Sequence, residues 1–128
     1  MRLLLDTHAF LWWLLGDPRL TGRARDAIEA SGNEVLVSSV SAMEVATKHR
    51  LGKLPEASAI AGRFVEVVNG QGFAELALTL AHGDRAGLLP VPHRDPFDRL
   101  LIAQALVEDL MLISNEKLFD GFGVRRLW

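Results

Sequence analysis

Four acidic residues stand where acids need an explanation. Asp6 lies inside the apolar run from Leu3 to Leu15, flanked by Leu5 and by Ala9-Phe10. A carboxylate in such surroundings is costly unless a partner meets it. Glu44, Asp98 and Glu116 follow at wide intervals. Gathered in one cleft, four carboxylates repel and raise one another's pKa values unless a cation sits among them. A set of oxygen ligands suits a hard ion such as magnesium or manganese. An ion held in this way can activate water and stabilise charge on a phosphate.

Each acid also has a purely structural reading. Ser41-Ala42-Met43-Glu44 matches a capping box, so Glu44 could close a helix N-terminus. Asp95-Pro96-Phe97-Asp98 opens a helix in the same sense, with Asp95 as N-cap, Pro96 at the first helical position and Asp98 at the third. Asp6 could cap the first helix, and Glu116 could be a solvated turn residue. Joint placement separates the readings. Caps scatter over both ends of a sheet, whereas these acids fall at one end.

That placement depends on the elements around them. Leu3 to Leu5 reads as a strand buried on both faces. Ala9 to Leu15 reads as a helix apolar nearly all round, broken by Gly16-Asp17-Pro18. Thr21 caps a second helix that ends before Gly32. Glu34 to Ser38 is a second strand, and Ser39 to Arg50 the helix after it. Past Pro55, the spacing of Ile60, Phe64, Val67 and Val68 predicts another helix, stopped by Asn69-Gly70. A short strand follows at Phe73 to Leu76, then a short helix over Leu78 to Asp84. The prolines in Leu89 to Arg94 predict a loop. A long helix runs from Asp95 to about Glu108, followed by a strand at Leu110 to Ser114, one helical turn from Glu116 to Phe119 and an edge strand at Val124 to Leu127.

Strands that alternate with helices predict a parallel sheet covered on both faces, with ligands bound beyond the carboxyl ends of the strands. Asp6 follows the first strand directly. Glu44 lies one turn into the helix after the second. Asp98 is in the first turn of its helix, and Glu116 is two residues past Ser114. All four are expected near the same sheet edge.

The 128 residues suit one compact domain, 1–128, and the composition is that of an ordinary globular protein, 49% hydrophobic and 23% charged. With no cysteine, disulfides and thiolate metal sites are excluded, which fits a reducing cytoplasm. The net charge of -2 speaks against coating nucleic acid through overall positive charge, while leaving room for a local basic surface. The apolar N-terminal run is shorter than the roughly 20 residues of a membrane span, and an aspartate in its middle argues against a targeting segment.

The motifs carry a family resemblance along the whole chain. Leu3-Leu4-Leu5-Asp6-Thr7-His8 resembles the opening of a PIN domain, and Ser38 to Val45 is similar to that family's second motif. Asp95-Pro96-Phe97-Asp98-Arg99-Leu100-Leu101-Ile102-Ala103-Gln104-Ala105 closely resembles the third motif as found in VapC toxins of bacterial toxin–antitoxin pairs. Leu112 to Glu116, with Phe119 and Gly123-Val124, resembles the last. The resemblance implies a three-layer α/β/α fold around a central parallel sheet of four to five strands. It also implies hydrolysis of RNA phosphodiester bonds with Mg2+ or Mn2+, a homodimer, and a cognate antitoxin whose tail blocks the site. Asp6, Glu44 and Asp98 match the core acidic positions. Glu116 stands where the family usually has aspartate, Ser114 where threonine is common, and Asp95 is an extra acid typical of the subgroup. Asp95 ranks as an N-cap first and an auxiliary metal residue second.

Secondary candidates surround this set. His8 and His93 fall near the cleft and could contact RNA or assist proton transfer. Arg94, Arg99, Lys48 and Arg50 could meet phosphates, although Lys48, four residues after Glu44, also suits a helical ion pair. Trp12 and Trp13 cannot share one helix face. One should enter the core, and the other, with Phe10 or Leu14, could cover a partner surface. Two rivals remain. A phosphate-transferring enzyme with an aspartate nucleophile would have a second aspartate where His8 stands. A degenerate PIN-like binding module, acting through its partners without catalysis, is kept open by Glu116.

Overall fold

A computed structural model describes all residues except Val91. Five strands form one sheet: β1 (Arg2–Leu5), β2 (Glu34–Ser38), β3 (Ala74–Leu76), β4 (Met111–Ile113) and β5 (Arg125–Leu127). Their order is β3-β2-β1-β4-β5, and every pairing is parallel. The helices are α1 (Thr7–Leu15), α2 (Gly22–Glu29), α3 (Ser39–Arg50), α4 (Phe64–Gly70), α5 (Leu80–Leu88) and α6 (Pro96–Val107).

The strand side chains alternate between two cores. Leu3, Leu5, Val35 and Val37 pack on one face with Phe10 and Trp12 of α1, Ala24 and Ile28 of α2 and Val68 of α4. Leu4, Leu36 and Leu112 pack on the other with Val40 of α3 and Leu101, Ile102 and Ala105 of α6. Burial on both faces explains why β1, β2 and β4 read as nearly continuous apolar runs. The result is the expected three-layer α/β/α arrangement.

Two stretches differ from the sequence expectation. The helix predicted past Pro55 starts only at Phe64: a 3-10 turn, Pro55–Ala57, and further turns precede α4, which ends at Gly70 as expected. Gly62, at φ 84°, takes a left-handed conformation that interrupts a regular helix. Ala57, Ile60, Phe64 and Val67 share one apolar cluster, so the spacing records burial throughout and helix only from Phe64 onward. The helix predicted over Leu78 to Asp84 begins later and runs on to Leu88. Thr79 and His82 form its capping box. Leu89, Pro90 and Pro92 to Asp95 carry neither helix nor strand, as the prolines require; Val91 of that loop lies outside the described residues.

Trp12 is buried against Trp128, and Trp13 is half-buried against Phe73 with its indole N–H donating to Gln71. Phe10 is fully buried between Phe64 and Phe73 and so offers no partner surface, while Leu14 is half-buried against the core.

The strand order matters for function. β1 has β2 on one side and β4 on the other, so the connections leave it in opposite directions. That is a topological switch point, where open α/β sheets bind ligands.

Candidate active site

Leu5 lies level with Val37 and with Ile113. Asp6, Ser38 and Ser114 therefore end three adjacent strands at one edge. Beyond that edge lies a polar pocket of about 130 Å³, lined by Asp6, Thr7, His8, Glu44, Lys48, Asp95, Asp98, Asn115, Glu116 and Phe119. All five acids singled out in the sequence line it.

Asp6 caps α1 by accepting from the Ala9 backbone N–H at 2.8 Å, and it is 7% exposed. Its capping and functional readings thus hold together on one side chain. Burial pushes its carboxyl up to about 6, against the opposing pull of the Ser114 hydroxyl, the Ala9 N–H and His8; the charge of Asp98 adds to the rise.

Glu44 does not close the helix. The N-cap of α3 is Ser38, whose hydroxyl accepts from Val40 N–H. Glu44 sits inside α3, buried, with Oε1 accepting from Thr7 Oγ1 at 2.6 Å and Oε2 from Lys48 Nζ at 2.5 Å. Thr7 Oγ1 also lies 2.9 Å from Ser41 Oγ. Burial opposes the Lys48 ammonium, yet its hydrogen bond to Glu44 and the charges of Glu44, Asp95 and Asp98 outweigh that and raise its pKa.

Asp95 is the N-cap of α6, as expected, with Oδ1 accepting from Phe97 N–H at 2.9 Å and Asp98 N–H at 3.2 Å. Asp98 lies 2.9 Å through Oδ2 from His93 Nε2. Burial raises the Asp98 carboxyl. His93 resists, and the charges of Asp95 and Glu44 add to the rise. Glu116 caps the 3-10 segment Lys117–Phe122 by accepting from Leu118 N–H at 3.2 Å, while its own N–H donates to the buried Ser114 hydroxyl.

The supporting residues separate on the same geometry. His8 is exposed, lines the pocket and stacks obliquely on Trp12. His93 is held edge-on by Phe119 and Phe122. Arg99 faces protein rather than substrate: its guanidinium donates to the carbonyls of Ala86, Leu89 and His93 at 2.7–3.0 Å. Arg94 and Arg50 are exposed and do not line the pocket. The motifs contain Thr7 and Ser41, but the sequence alone points Ser41 to a helix cap and Thr7 to nothing. The signal that would have found them is the hydroxyl beside each acidic motif, since a buried Glu44 needs donors.

The donor set fits a hard divalent cation in kind and number: five carboxylates line one small pocket, and two of them, Asp6 and Asp98, have pKa values raised chiefly by burial, with neighbouring carboxylates adding to the rise. Among the described residues, no three His, Cys, Asp or Glu side chains converge tightly enough to hold a metal as they stand. Glu44 is turned to Lys48 and Thr7, and Asp98 to His93.

The family profile of the PIN domain matches residues 3–123. The chain belongs to the PIN-domain family. No curated protein sequence matches it. Solved structures share its fold. VapBC2 from Rickettsia felis, bound to a DNA fragment from its promoter, aligns with TM-score 0.71 at 15% identity over 99% of this chain and 98% of that one. VapBC-1 from nontypeable Haemophilus influenzae aligns with TM-score 0.66 at 15% identity, over 99% and 97%. A toxin–antitoxin complex from Klebsiella pneumoniae gives TM-score 0.60 at 20% identity, over 88% and 85%.

Proposed function

We propose that this chain is a divalent-metal-dependent endoribonuclease, the toxin of a toxin–antitoxin pair, hydrolysing RNA phosphodiester bonds in the cytoplasm. The observation that carries this reading is the meeting of Asp6, Glu44, Asp95, Asp98 and Glu116 on one pocket at the switch point of the sheet.

Asp6, Asp98 and Glu44 are the proposed holders of a Mg2+ or Mn2+ ion, with Glu116 and Asp95 at its margin. When bound, such an ion supplies an activated water and positive charge for the phosphate. Thr7 and Ser114 orient Glu44 and Asp6 by donating to them. His93 fixes Asp98 and, when Asp98 is ionised, must donate through Nε2. His8, exposed at the rim, is placed to meet the RNA chain.

The partners follow from the same site. Five carboxylates in one pocket are a good receptor for an arginine, which supports an antitoxin tail as inhibitor. The structural relatives named above come from VapBC and toxin–antitoxin complexes. A homodimer is part of the same proposal.

Purified protein is expected to cleave RNA with Mg2+ or Mn2+ and to stop on addition of a chelator. Asp6→Asn and Asp98→Asn are each expected to fall to the chelated background. Cleavage that survives both substitutions sinks the proposed site. The rival is a binding module without catalysis, favoured by the capping duties of Asp95 and Glu116. It gains if no metal condition yields cleavage while an antitoxin still binds.

A further inference from the structure

Among the described residues, Lys48 is the one lysine or arginine lining the acidic pocket, and its nitrogen is hydrogen-bonded to the most buried acid there. The two side chains differ sharply in exposure, 31% for Lys48 and 4% for Glu44. An exposed pair four residues apart on a helix is worth little and would need no further account. This pair is different, because one member is a buried carboxylate. An ionised buried carboxylate requires a compensating partner, and removing that partner leaves the charge unmet.

Both oxygens of Glu44 are already used, Oε1 by Thr7 and Oε2 by Lys48. A hydroxyl can remain on a carboxylate that also binds a cation. An ammonium competes with that cation for the same oxygen and the same charge. The lysine stem is long, reaches solvent and lies on the same helix, so the ammonium can leave without backbone motion. Held in this way, Glu44 is turned away from the other acids of the pocket.

We propose that Lys48 is an internal competitor of the divalent ion, holding Glu44 when the pocket is empty and releasing it when the ion binds. The inference rests on the metal-dependent reading above and names the residue that sets its metal affinity. The pocket thereby keeps a cation at all times, and metal uptake becomes an exchange of one cation for another.

The test is Mn2+ titration of the full chain, with free Mn2+ followed by electron paramagnetic resonance, for the parent, Lys48→Met and Lys48→Arg. Lys48→Met is expected to bind Mn2+ about tenfold more tightly, since one charge-assisted hydrogen bond no longer has to be broken. Lys48→Arg keeps a cation on Glu44 and is expected to stay near the parent. Thermal unfolding supplies a readout independent of cleavage. Lys48→Met should melt below the parent in chelator, and saturating Mn2+ should close that gap. If Lys48→Met does not fold in chelator, Lys48→Gln, which retains a neutral donor for Glu44, carries the same comparison. Affinity unchanged or weakened in the neutral variants, or an equal Mn2+-induced rise in melting temperature, overturns the proposal and leaves the nuclease reading standing. If neither the parent nor the neutral variants take up Mn2+, both readings fall together.

Discussion

At the scale of single residues, Asp6 does two things that usually exclude each other. It caps a helix and it is a buried acid at a pocket floor. Its carboxyl rises from 3.8 to about 6 because burial disfavours the charge. The folded chain therefore holds this proton more tightly than the unfolded chain does. The cost of ionising Asp6 in the fold accumulates as pH rises from 3.8 to about 6, and it is fully present above that. In chelator, Asp6→Asn is expected to be more stable than the parent at pH 7.5 by at most about 3 kcal/mol, and the difference should close below about pH 4. Asparagine keeps the capping bond, so loss of the cap does not mask the gain. Thermal melts of both proteins across that pH range check it. The costly setting of Asp6 was readable from its apolar flanks. Glu44 was less so, because Ser41 stands at capping distance and only the fold shows that Ser38 has already taken that role.

At the scale of elements, the segment between α5 and α6 is organised by Arg99. One guanidinium draws together the carbonyls of Ala86, Leu89 and His93, and His93 in turn reaches Asp98. The prolines there remove backbone donors, so the side chain supplies what regular structure cannot. Arg99→Met is expected to destabilise the protein by about 2 kcal/mol, the scale of buried acceptors left unmet, and to lower cleavage more than stability alone explains. Denaturant unfolding and cleavage assays on the same preparation separate the two effects. An arginine beside an acidic motif reads from sequence as a phosphate ligand. Which way it faces depends on a loop whose path is set by tertiary contacts. The same limit applied past Pro55, where apolar spacing gave burial throughout but helix only from Phe64 onward. Gly62 was the unread punctuation.

At the scale of the whole molecule, the alternation of strands and helices was legible because the central strands β1, β2 and β4 are apolar on both faces. The order of the strands was not, since nothing local states that β4 returns beside β1. The proposed dimer belongs to this scale too. Light scattering is expected to return the mass of two chains of 14.1 kDa, and a single-chain mass would remove the dimer from the proposal. The placement of β1 has one more consequence. Leu5 pairs with Val37 early in the chain but with Ile113 only near its far end. Asp6 is made long before the strand that completes its surroundings. A nascent chain on the ribosome therefore carries the pieces of the pocket without the pocket. The cell that makes this protein meets an assembled cleft only after β4 has left the ribosome.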